Sequence, residues 1–285
     1  MDLNTIYNED CLQTMKRFPN ESIDLILTDP PYGYLKHKLD KPVDFYAISD
    51  EWKRILKKDG FVAMFGRGTQ LYKWASYLDD IGFKFKEEIV WDKGVDSSPL
   101  HIFNRVHELI LLYTKSKGII RKTRIQYEDM TNNIQFAQDL KILNKNLSTQ
   151  KPTVLKQYLE DGIIRYTNKK FARAKYAIHW CEYNAKDVGV NTAINIIEGK
   201  KAKSIISMPP IHFNKSHPTE KPVELLARLI RITSDEGAIV YDGFAGSGST
   251  AVACLKTGRK YICSEIDDEY YTTAVKRLEN EKTLF

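Results

Sequence analysis

Short apolar runs alternate with amphipathic stretches along both ends of this chain of 285 residues. A short apolar run between turn residues predicts a buried strand, whereas apolar residues spaced three and four apart predict a helix. The runs predict strands at Ile23 to Leu27, Phe61 to Phe65 (entered through Asp59-Gly60), Ile89 to Trp91, Leu109 to Tyr113, Ile239 to Tyr241 and Tyr261 to Cys263.

Helical spacing fills the intervals between these strands. Phe45, Ile48, Trp52 and Ile55 lie on one predicted helical face, and a second helix is predicted over Gln70 to Ile81. Three more are predicted after Pro222, over Ser249 to Lys256 and over Glu269 to Glu281. Strands that alternate with helices predict an α/β fold with a mostly parallel sheet covered on both faces.

The alternation stops in the middle of the chain. From about Lys115 to Ser216 the sequence is basic and rich in asparagine, with no regular period. We therefore expect one domain formed by 1–114 and 217–285, with 115–216 as an inserted region. No internal repeat is visible.

Composition narrows the class of protein. Hydrophobic residues make up 42% and charged residues 28%, which argues against a disordered or fibrous chain. No apolar run approaches the roughly 18 residues that a membrane-spanning helix needs. The four cysteines form no C-x-x-C pair and the six histidines no metal-binding pair, so we expect neither a disulfide framework nor a metal site. A soluble intracellular protein is expected.

The positive charge is concentrated in the predicted insertion. The net charge is +6, yet residues 115–180 alone hold 14 Lys or Arg and 5 Asp or Glu, a net of +9. The rest of the chain has a net charge of −3, and a mildly acidic body with one basic part is typical of a protein that contacts a polyanion. A plain solvated basic surface is the alternative.

A glycine-rich turn follows the strand predicted at Ile239. Asp242 is followed by Gly243-Phe244-Ala245-Gly246-Ser247-Gly248, and a helix is predicted to begin at Ser249. Such a turn lets a ligand approach the backbone, and the N–H groups of the helix favour an anion. Glu265, after the next strand, is placed to bind ribose hydroxyls. The turn also matches a dinucleotide fingerprint, Gly246-x-Gly248-x-x-Ala251, and a turn without a ligand is a further alternative.

The tetrapeptide Asp29-Pro30-Pro31-Tyr32 ends another predicted strand and so projects into the crevice at the carboxyl edge of the sheet. Asp29 offers a carboxylate acceptor, and the prolines fix carbonyl acceptors without adding N–H donors. Tyr32 adds an aromatic face. Two fixed acceptors beside a flat ring suit the planar amino group of a nucleobase.

Together these motifs resemble those of the amino-methyltransferases of DNA. The tetrapeptide precedes the glycine-rich turn, and this order resembles the permuted, beta-class group of adenine-N6 and cytosine-N4 enzymes. Three further stretches resemble family motifs: Asn8-Glu9-Asp10-Cys11, His107-Glu108-Leu109-Ile110-Leu111 and His217-Pro218-Thr219-Glu220-Lys221-Pro222. One departure is Gly243, which stands where the family usually has proline.

The resemblance implies a Rossmann-like methyltransferase fold with a mainly parallel, seven-stranded sheet and an inserted target-recognition region at 115–216. It implies transfer of a methyl group from S-adenosylmethionine to adenine N6 of a base flipped out of double-stranded DNA. Asp29 at the first catalytic position favours adenine. Cytosine N4 is the alternative target. A dinucleotide-dependent oxidoreductase, a DNA-binding module without activity, and methylation of RNA or of a protein amide are more remote alternatives.

The resemblance also implies roles for individual residues. The expected catalytic residues are Asp29, Pro30, Pro31 and Tyr32. The expected cofactor contacts are Asp10, Cys11, Asp29, Lys221, Asp242, Phe244, Gly246, Gly248, Thr250 and Glu265, and no metal is expected.

The resemblance extends to partners and location. The family resemblance suggests two partners, a second copy of the chain in a homodimer and a cognate restriction endonuclease. The sequence leaves both open. The resemblance also implies a cytoplasmic enzyme encoded by a prokaryote or a phage.

Overall fold

The computed structural model of the chain describes residues 1–33, 43–94, 106–121, 200–211 and 220–282, together with 124–125 and the single positions 138 and 141. The chain forms two compact units, residues 1–121 with 203–285, and residues 122–202. In the second unit the strands Arg124–Ile125 (β6) and Lys200–Lys201 (β7) pair antiparallel. The predicted boundaries at 114/115 and 216/217 stay predictions.

One sheet organises the first unit. In the described residues it has eight strands, in the order β1-β10-β9-β2-β3-β5-β4-β8. Their bounds are Thr5–Tyr7 (β1), Ile23–Thr28 (β2), Leu56–Gly66 (β3), Lys84–Asp92 (β4), His107–Thr114 (β5), Ile205–Ser207 (β8), Ile239–Asp242 (β9) and Lys260–Ser264 (β10).

Helices connect these strands. Their bounds are Cys11–Met15 (α1), Phe45–Ile55 (α2), Gly68–Asp80 (α3), Val223–Thr233 (α4), Ser249–Lys256 (α5) and Asp268–Lys282 (α6). Two of them begin at aspartate caps, since Asp10 accepts from the Leu12 N–H at 2.8 Å and Asp44 from the Ala47 N–H at 3.1 Å. No helix in the described part of the chain is long and apolar enough to cross a membrane.

The direction of β5 decides which residues meet at the carboxyl edge. All pairings in the large sheet are parallel except those of β5, which runs antiparallel to both β3 and β4. Leu109 pairs with Gly66, and Glu108 pairs with Trp91. The beginning of β5 therefore lies beside the carboxyl ends of its two neighbours.

Each face of the sheet packs in its own core, because successive strand residues point to opposite faces. On one face Phe61, Ala63 and Phe65 pack with residues of α4, α5 and α6. On the other face Val62 and Met64 pack with α1, α2 and α3, including the fully buried Trp52. The predicted α/β sheet covered on both faces is confirmed.

Two details differ from the sequence expectation. The described sheet has eight strands where the resemblance implied seven, and β1 and β8 were not among the six predicted from apolar runs. β8, from within the predicted insertion, pairs with β4 at the edge of the sheet. Asp59-Gly60, predicted as a turn before the strand, lies inside β3. The register shifts there, from Ile23 opposite Leu56 to Leu25 opposite Phe61, so the extra residues form a bulge.

Two glycines with nearly equal φ angles offer a test of packing between α5 and α6. Gly248 has φ of +75° and a Cβ there would lie 3.1 Å from Ala274 Cβ, whereas Gly237 has φ of +77° and no neighbour within 4 Å in the described structure. Gly237→Ala should lose about 1 kcal/mol of unfolding free energy from the backbone conformation alone. Gly248→Ala should lose about 1–3 kcal/mol more from overpacking. Urea unfolding of both variants measures the difference, and equal losses would contradict the crowding at Ala274.

Candidate active site

Strands β2 and β9 are direct neighbours, and they bring together the two motifs that the sequence analysis emphasised. Leu25 pairs with Val240 and Ile26 with Tyr241. Just beyond these pairs the Thr28 hydroxyl donates to Asp242 Oδ1 at 3.0 Å, across 214 positions of sequence. The Asp29-Pro30-Pro31-Tyr32 tetrapeptide and the glycine-rich turn therefore leave the same sheet edge side by side.

The Asp242 carboxylate holds the glycine-rich turn by hydrogen bonds. Its Oδ1 also accepts from the Phe244 N–H at 3.0 Å, and its Oδ2 accepts from the Thr250 hydroxyl at 2.6 Å. The side chain is buried, and burial raises the pKa of the Asp242 carboxyl to about 6 in spite of these three donors. Asp242 thus links β2, the turn and the start of α5.

Two of the three glycines of the turn adopt left-handed conformations, with φ of +51° at Gly246 and +75° at Gly248. Glycine reaches such angles at little cost. The turn is also held from α6, because Arg277 Nη1 donates to the Ser247 carbonyl at 3.2 Å and to the Ser249 hydroxyl at 3.0 Å. The same nitrogen lies 2.8 Å from Glu220 Oε1.

Glu265 closes the turn from the neighbouring strand β10. Its Oε2 accepts from the Gly246 N–H at 2.8 Å and its Oε1 from the Asp267 N–H at 2.9 Å. Burial raises the pKa of the Glu265 carboxyl. The next residue, Ile266, is 62% exposed, so an apolar surface adjoins this carboxylate.

The N-terminus of α1 lies against the same turn. The Tyr241 hydroxyl donates to the Cys11 carbonyl at 3.1 Å and lies 2.9 Å from the Ser264 hydroxyl. A Cβ at Gly243 would lie 3.1 Å from Cys11 Cβ, so the residue that replaces the usual proline allows this close approach. Burial raises the pKa of the Cys11 thiol to about 12, and the thiol is therefore not a nucleophile at neutral pH.

The tetrapeptide itself is held by polar and aromatic neighbours. The Tyr32 hydroxyl donates to Asp29 Oδ1. The ring of Tyr32 lies 6.0 Å from that of Trp74, which in turn stacks on Phe45 at 4.8 Å. Burial, reinforced by the charge of Asp29, raises the pKa of the Tyr32 hydroxyl, so it stays a hydrogen-bond donor.

Asp29 is one end of a row of alternating charges, which we call the charge chain (Lys93, Glu108, Lys221 and Asp29). Lys221 Nζ donates to Asp29 Oδ2 and lies 3.4 Å from Glu108 Oε2. Lys93 Nζ donates to Glu108 Oε1 at 2.7 Å. The four side chains are between 9% and 22% exposed.

Within the charge chain, opposite charges counteract the effect of burial on the pKa values of Asp29, Glu108 and Lys221. Burial alone would lower the pKa of Lys221, but the carboxylates of Asp29 and Glu108 together raise it. Burial also opposes the ionised form of Glu108, but Lys221 and Lys93 outweigh it and lower its pKa. At Asp29 burial prevails and raises the pKa, against Lys221 and the Tyr32 hydroxyl. Two lysines and two acidic residues thus lie together in one poorly exposed row.

The structure places the predicted site residues at one edge of the sheet, although not all of them have open polar groups. Asp10 caps α1, and the hydroxyl of Thr250 is occupied by Asp242. Lys221, predicted as a cofactor contact, is bound to Asp29. The roles assigned to all these residues stay predictions.

Sequence reasoning missed Glu108, Lys93 and Arg277 as site residues. A charged residue at the start of the apolar strand β5 was a signal for Glu108, but no local pattern singles out the other two. The stretch from Tyr34 to Asp44, which the sequence predicts as a loop, lies mostly outside the described residues, as do His217, Pro218 and Thr219. The same holds for most basic side chains of the predicted insertion, which are expected to contact DNA phosphates. Of those, Arg121 is described, and it pairs with Asp235.

The edge fits a cofactor that carries a nucleoside and a charged tail. A carboxylate at the end of β10 with an apolar neighbour suits a ribose and its base, because each oxygen of Glu265 keeps a second lone pair. The free N–H groups at the start of α5 suit a carboxylate. Beside them stands a fixed acceptor, Asp29, in a partly buried crevice. A Rossmann-like fold with this pairing of sites fits an S-adenosylmethionine-dependent amino-methyltransferase.

Comparison with known proteins specifies the class. A model of the DNA methylase family matches residues 23–276, and the chain belongs to this family, whose members methylate amino groups at N6 of adenine or N4 of cytosine. The predicted S-adenosylmethionine-dependent DNA methyltransferase is thereby confirmed. The alternative of a dinucleotide-dependent oxidoreductase is not supported.

Curated relatives span most of this chain. It is 27% identical to the type II methyltransferase M.HinfI of Haemophilus influenzae, over 98% of this chain and 69% of that one. It is also 27% identical to the DNA adenine methyltransferase YhdJ of Escherichia coli, over 98% of this chain and 83% of that one.

Solved structures share the fold. M1.HpyAVI in complex with S-adenosylmethionine superposes with a TM-score of 0.57 at 20% identity, covering 96% of this chain and 98% of that one. The cytosine-N4-specific PvuII DNA methyltransferase gives a TM-score of 0.59 at 16% identity, covering 98% and 90%.

The raised pKa of Asp242 predicts how stability depends on pH. Its pKa rises from 3.8 to about 6 on folding, so the folded state binds the proton more tightly. The resulting stabilisation is complete below about pH 3.8 and is lost as the pH rises through about 6. Asp242→Asn removes the titration while keeping the shape, so wild type should lose on the order of 3 kcal/mol relative to this variant between pH 4 and 7.

Urea unfolding of both proteins across this range measures the difference, in which the other carboxyls cancel. A difference that stays flat with pH would show that Asp242 does not titrate abnormally in the folded protein.

Proposed function

We propose that this enzyme transfers a methyl group from S-adenosylmethionine to N6 of adenine in double-stranded DNA, on a base flipped out of the helix. The observation that carries the proposal is the pairing of β2 with β9, closed by the Thr28–Asp242 hydrogen bond. This pairing puts an amino-group acceptor, Asp29, next to a turn suited to the cofactor. Neither motif alone would define the reaction.

The proposed cofactor contacts follow the sheet edge. Glu265 would take the ribose hydroxyls, and Ile266 offers an apolar surface for the adenine ring beside Asp10 and the Cys11 backbone. The turn from Phe244 to Gly248 would hold the methionine end, with Arg277 and Asp242 keeping the turn rigid. When bound, S-adenosylmethionine supplies a methyl group on a positively charged sulfur.

The proposed catalytic task of the chain is to hold the target amino group. An exocyclic amine conjugated to its ring is a poor nucleophile because its lone pair is delocalised. Asp29 and the Pro30 carbonyl would accept hydrogen bonds from the two N–H groups of the amine. These bonds would direct the nitrogen lone pair towards the methyl group of S-adenosylmethionine. A negative carboxylate also stabilises the positive charge that develops on nitrogen as the N–C bond forms and the C–S bond breaks. The neutral thioether S-adenosylhomocysteine would leave, and the methylated amine would then lose one of its protons. Tyr32, backed by Trp74, would stack on the flipped base.

Adenine is preferred over cytosine because Asp29 occupies the first position of the tetrapeptide, where the cytosine-N4 enzymes of this family more often have serine. The relative YhdJ, 27% identical, is by name a DNA adenine methyltransferase. The fold itself does not separate the two activities, since the cytosine-N4-specific PvuII enzyme superposes as well as M1.HpyAVI does.

DNA recognition is assigned to the inserted region 115–216. Its excess of Lys and Arg would neutralise phosphates, and affinity for DNA should then fall steeply with salt. Residues that read base edges are not assigned. A homodimer and a cognate restriction endonuclease are further partners in this proposal, on the basis of family resemblance alone.

The decisive experiment for the target is analysis of the modified base. Plasmid DNA from Escherichia coli that lacks its own methyltransferases and expresses this enzyme is sequenced as single molecules and digested to nucleosides. We expect N6-methyladenine at one short sequence motif. N4-methylcytosine instead would overturn the adenine assignment, and methylation of neither base in DNA would overturn the proposed function.

Removal of the Asp29 carboxylate should separate binding from catalysis. In Asp29→Ala the cofactor contacts at Glu265 and Gly246 are untouched, so affinity for S-adenosylmethionine should stay within a few-fold of wild type. Methyl transfer should fall by about 100-fold or more, because the charge-stabilising acceptor is gone. Calorimetry and transfer of radiolabelled methyl to DNA measure the two effects.

Asp24→Asn is the control, since Asp24 lies at the start of β2, away from the carboxyl edge. It pairs with Lys57 and accepts from the Ile239 N–H, and the Asn oxygen keeps an acceptor for this N–H. Its transfer rate should equal that of wild type. If Asp29→Ala still transferred methyl at the wild-type rate, the catalytic assignment would be wrong.

A further inference from the structure

The charge chain joins Asp29 to groups on three other parts of the fold. Glu108 comes from the beginning of β5, Lys93 follows the carboxyl end of β4, and Lys221 precedes α4. Lys221 Nζ also lies 5.1 Å from the centre of the Phe65 ring, at the end of β3. The catalytic carboxylate is therefore not an isolated acceptor. Its partner, Lys221, also contacts Glu108 of β5 and the Phe65 ring of β3.

The two oxygens of Glu108 are used unequally. Oε1 accepts a hydrogen bond from Lys93 at 2.7 Å. Oε2 is buried and has no hydrogen-bond partner in the described structure, although Lys221 Nζ lies only 3.4 Å away. A buried acceptor without a donor is costly, so it needs a function or a second arrangement in which it is satisfied. A small movement of the ammonium towards Glu108 would satisfy it.

Asp29 has a corresponding difficulty. In the structure Tyr32 donates to one of its oxygens and Lys221 to the other. If Asp29 accepts the hydrogens of a target amino group, as proposed above, the Lys221 ammonium competes for the same carboxylate. A buried ammonium that loses contact with its anion must find another, since an unpaired buried charge is strongly unfavourable.

We propose that Glu108 is a positioning residue for Lys221, acting as the second anion to which the ammonium turns when Asp29 engages the target amino group. This inference rests on the proposed function. Lys93 keeps Glu108 in place by its bond to Oε1, which leaves Oε2 directed to Lys221. Glu108 itself acts only through Lys221 and touches neither base nor cofactor.

The test uses charge removal at constant shape. Glu108→Gln keeps an acceptor for Lys93 but presents a neutral group to Lys221. We expect kcat to fall about tenfold, because Lys221 then stays on Asp29 and competes with the base. The KM for DNA and the Kd for S-adenosylmethionine should stay within about twofold of wild type. Rates are normalised to the cofactor-binding sites counted by calorimetry, so that loss of folded protein does not mimic a loss of kcat.

Two further variants separate positioning from a structural role. Glu88→Gln makes the same chemical change at an exposed position of β4, in the same hairpin, and should leave kcat unchanged. In a Lys221→Met background, Glu108→Gln should cause no further loss of kcat beyond about twofold, because the residue through which it acts is absent.

Three results would overturn the inference: a wild-type kcat in Glu108→Gln, an equal loss in Glu88→Gln, or a tenfold loss that persists in the Lys221→Met background. Failure of the proposed function would appear differently, as a wild-type enzyme that binds S-adenosylmethionine and methylates no DNA. In that case the equilibrium constants of unfolding are measured for wild type, Glu108→Gln, Lys221→Met and the double variant. They show whether Glu108 and Lys221 interact in the folded protein. Non-additivity of about tenfold or more between the two substitutions supports that contact, and additivity rejects it.

Discussion

Everything at the active edge depends on two parallel strands, β2 and β9, that pair across more than two hundred positions of sequence. The Thr28–Asp242 hydrogen bond joins their carboxyl ends, and Asp242 in turn bonds the turn and the first residues of α5. A buried carboxylate is tolerated only when donors surround it. Here those donors come from β2, the turn and α5, so satisfying one side chain brings both halves of the site into register.

Charge burial imposes a second constraint on the same edge. Lys93, Glu108, Lys221 and Asp29 are each poorly exposed, and none would be stable there as a lone ion. Because acidic and basic side chains alternate along the row, each contact joins opposite charges. The packing of β3, β4, β5 and α4 around these side chains offsets the unfavourable free energy of removing them from water. The Asp29 carboxylate is thus held in place by Tyr32 and Lys221, which donate to its two oxygens.

A good part of this architecture was predictable. Apolar period and glycine placement located the strands at Ile23, Leu109, Ile239 and Tyr261, because burial of alternating or continuous apolar residues depends on near neighbours in the chain. The two-sided sheet followed from their alternation with helices. The eighth strand did not, since Ile205–Ser207 is too short for a period and pairs only because β4 offers a free edge. The bulge at Asp59-Gly60 was also missed, because turn residues look the same inside a strand as before one.

The sequence by itself determined the chemistry that was available, namely an acid and two prolines at one strand end, a glycine-rich turn at another, and an acidic residue after the next strand. It also implied the family, since several ordered motifs together are specific. Only the tertiary structure decided that Lys221 pairs with Asp29, that Glu108 stands between two lysines, and that Arg277 holds the turn. The physical reason is that these contacts cross between strands and helices whose register is set by the whole sheet. Local patterns carry the period of each element but not the partner that each side chain meets.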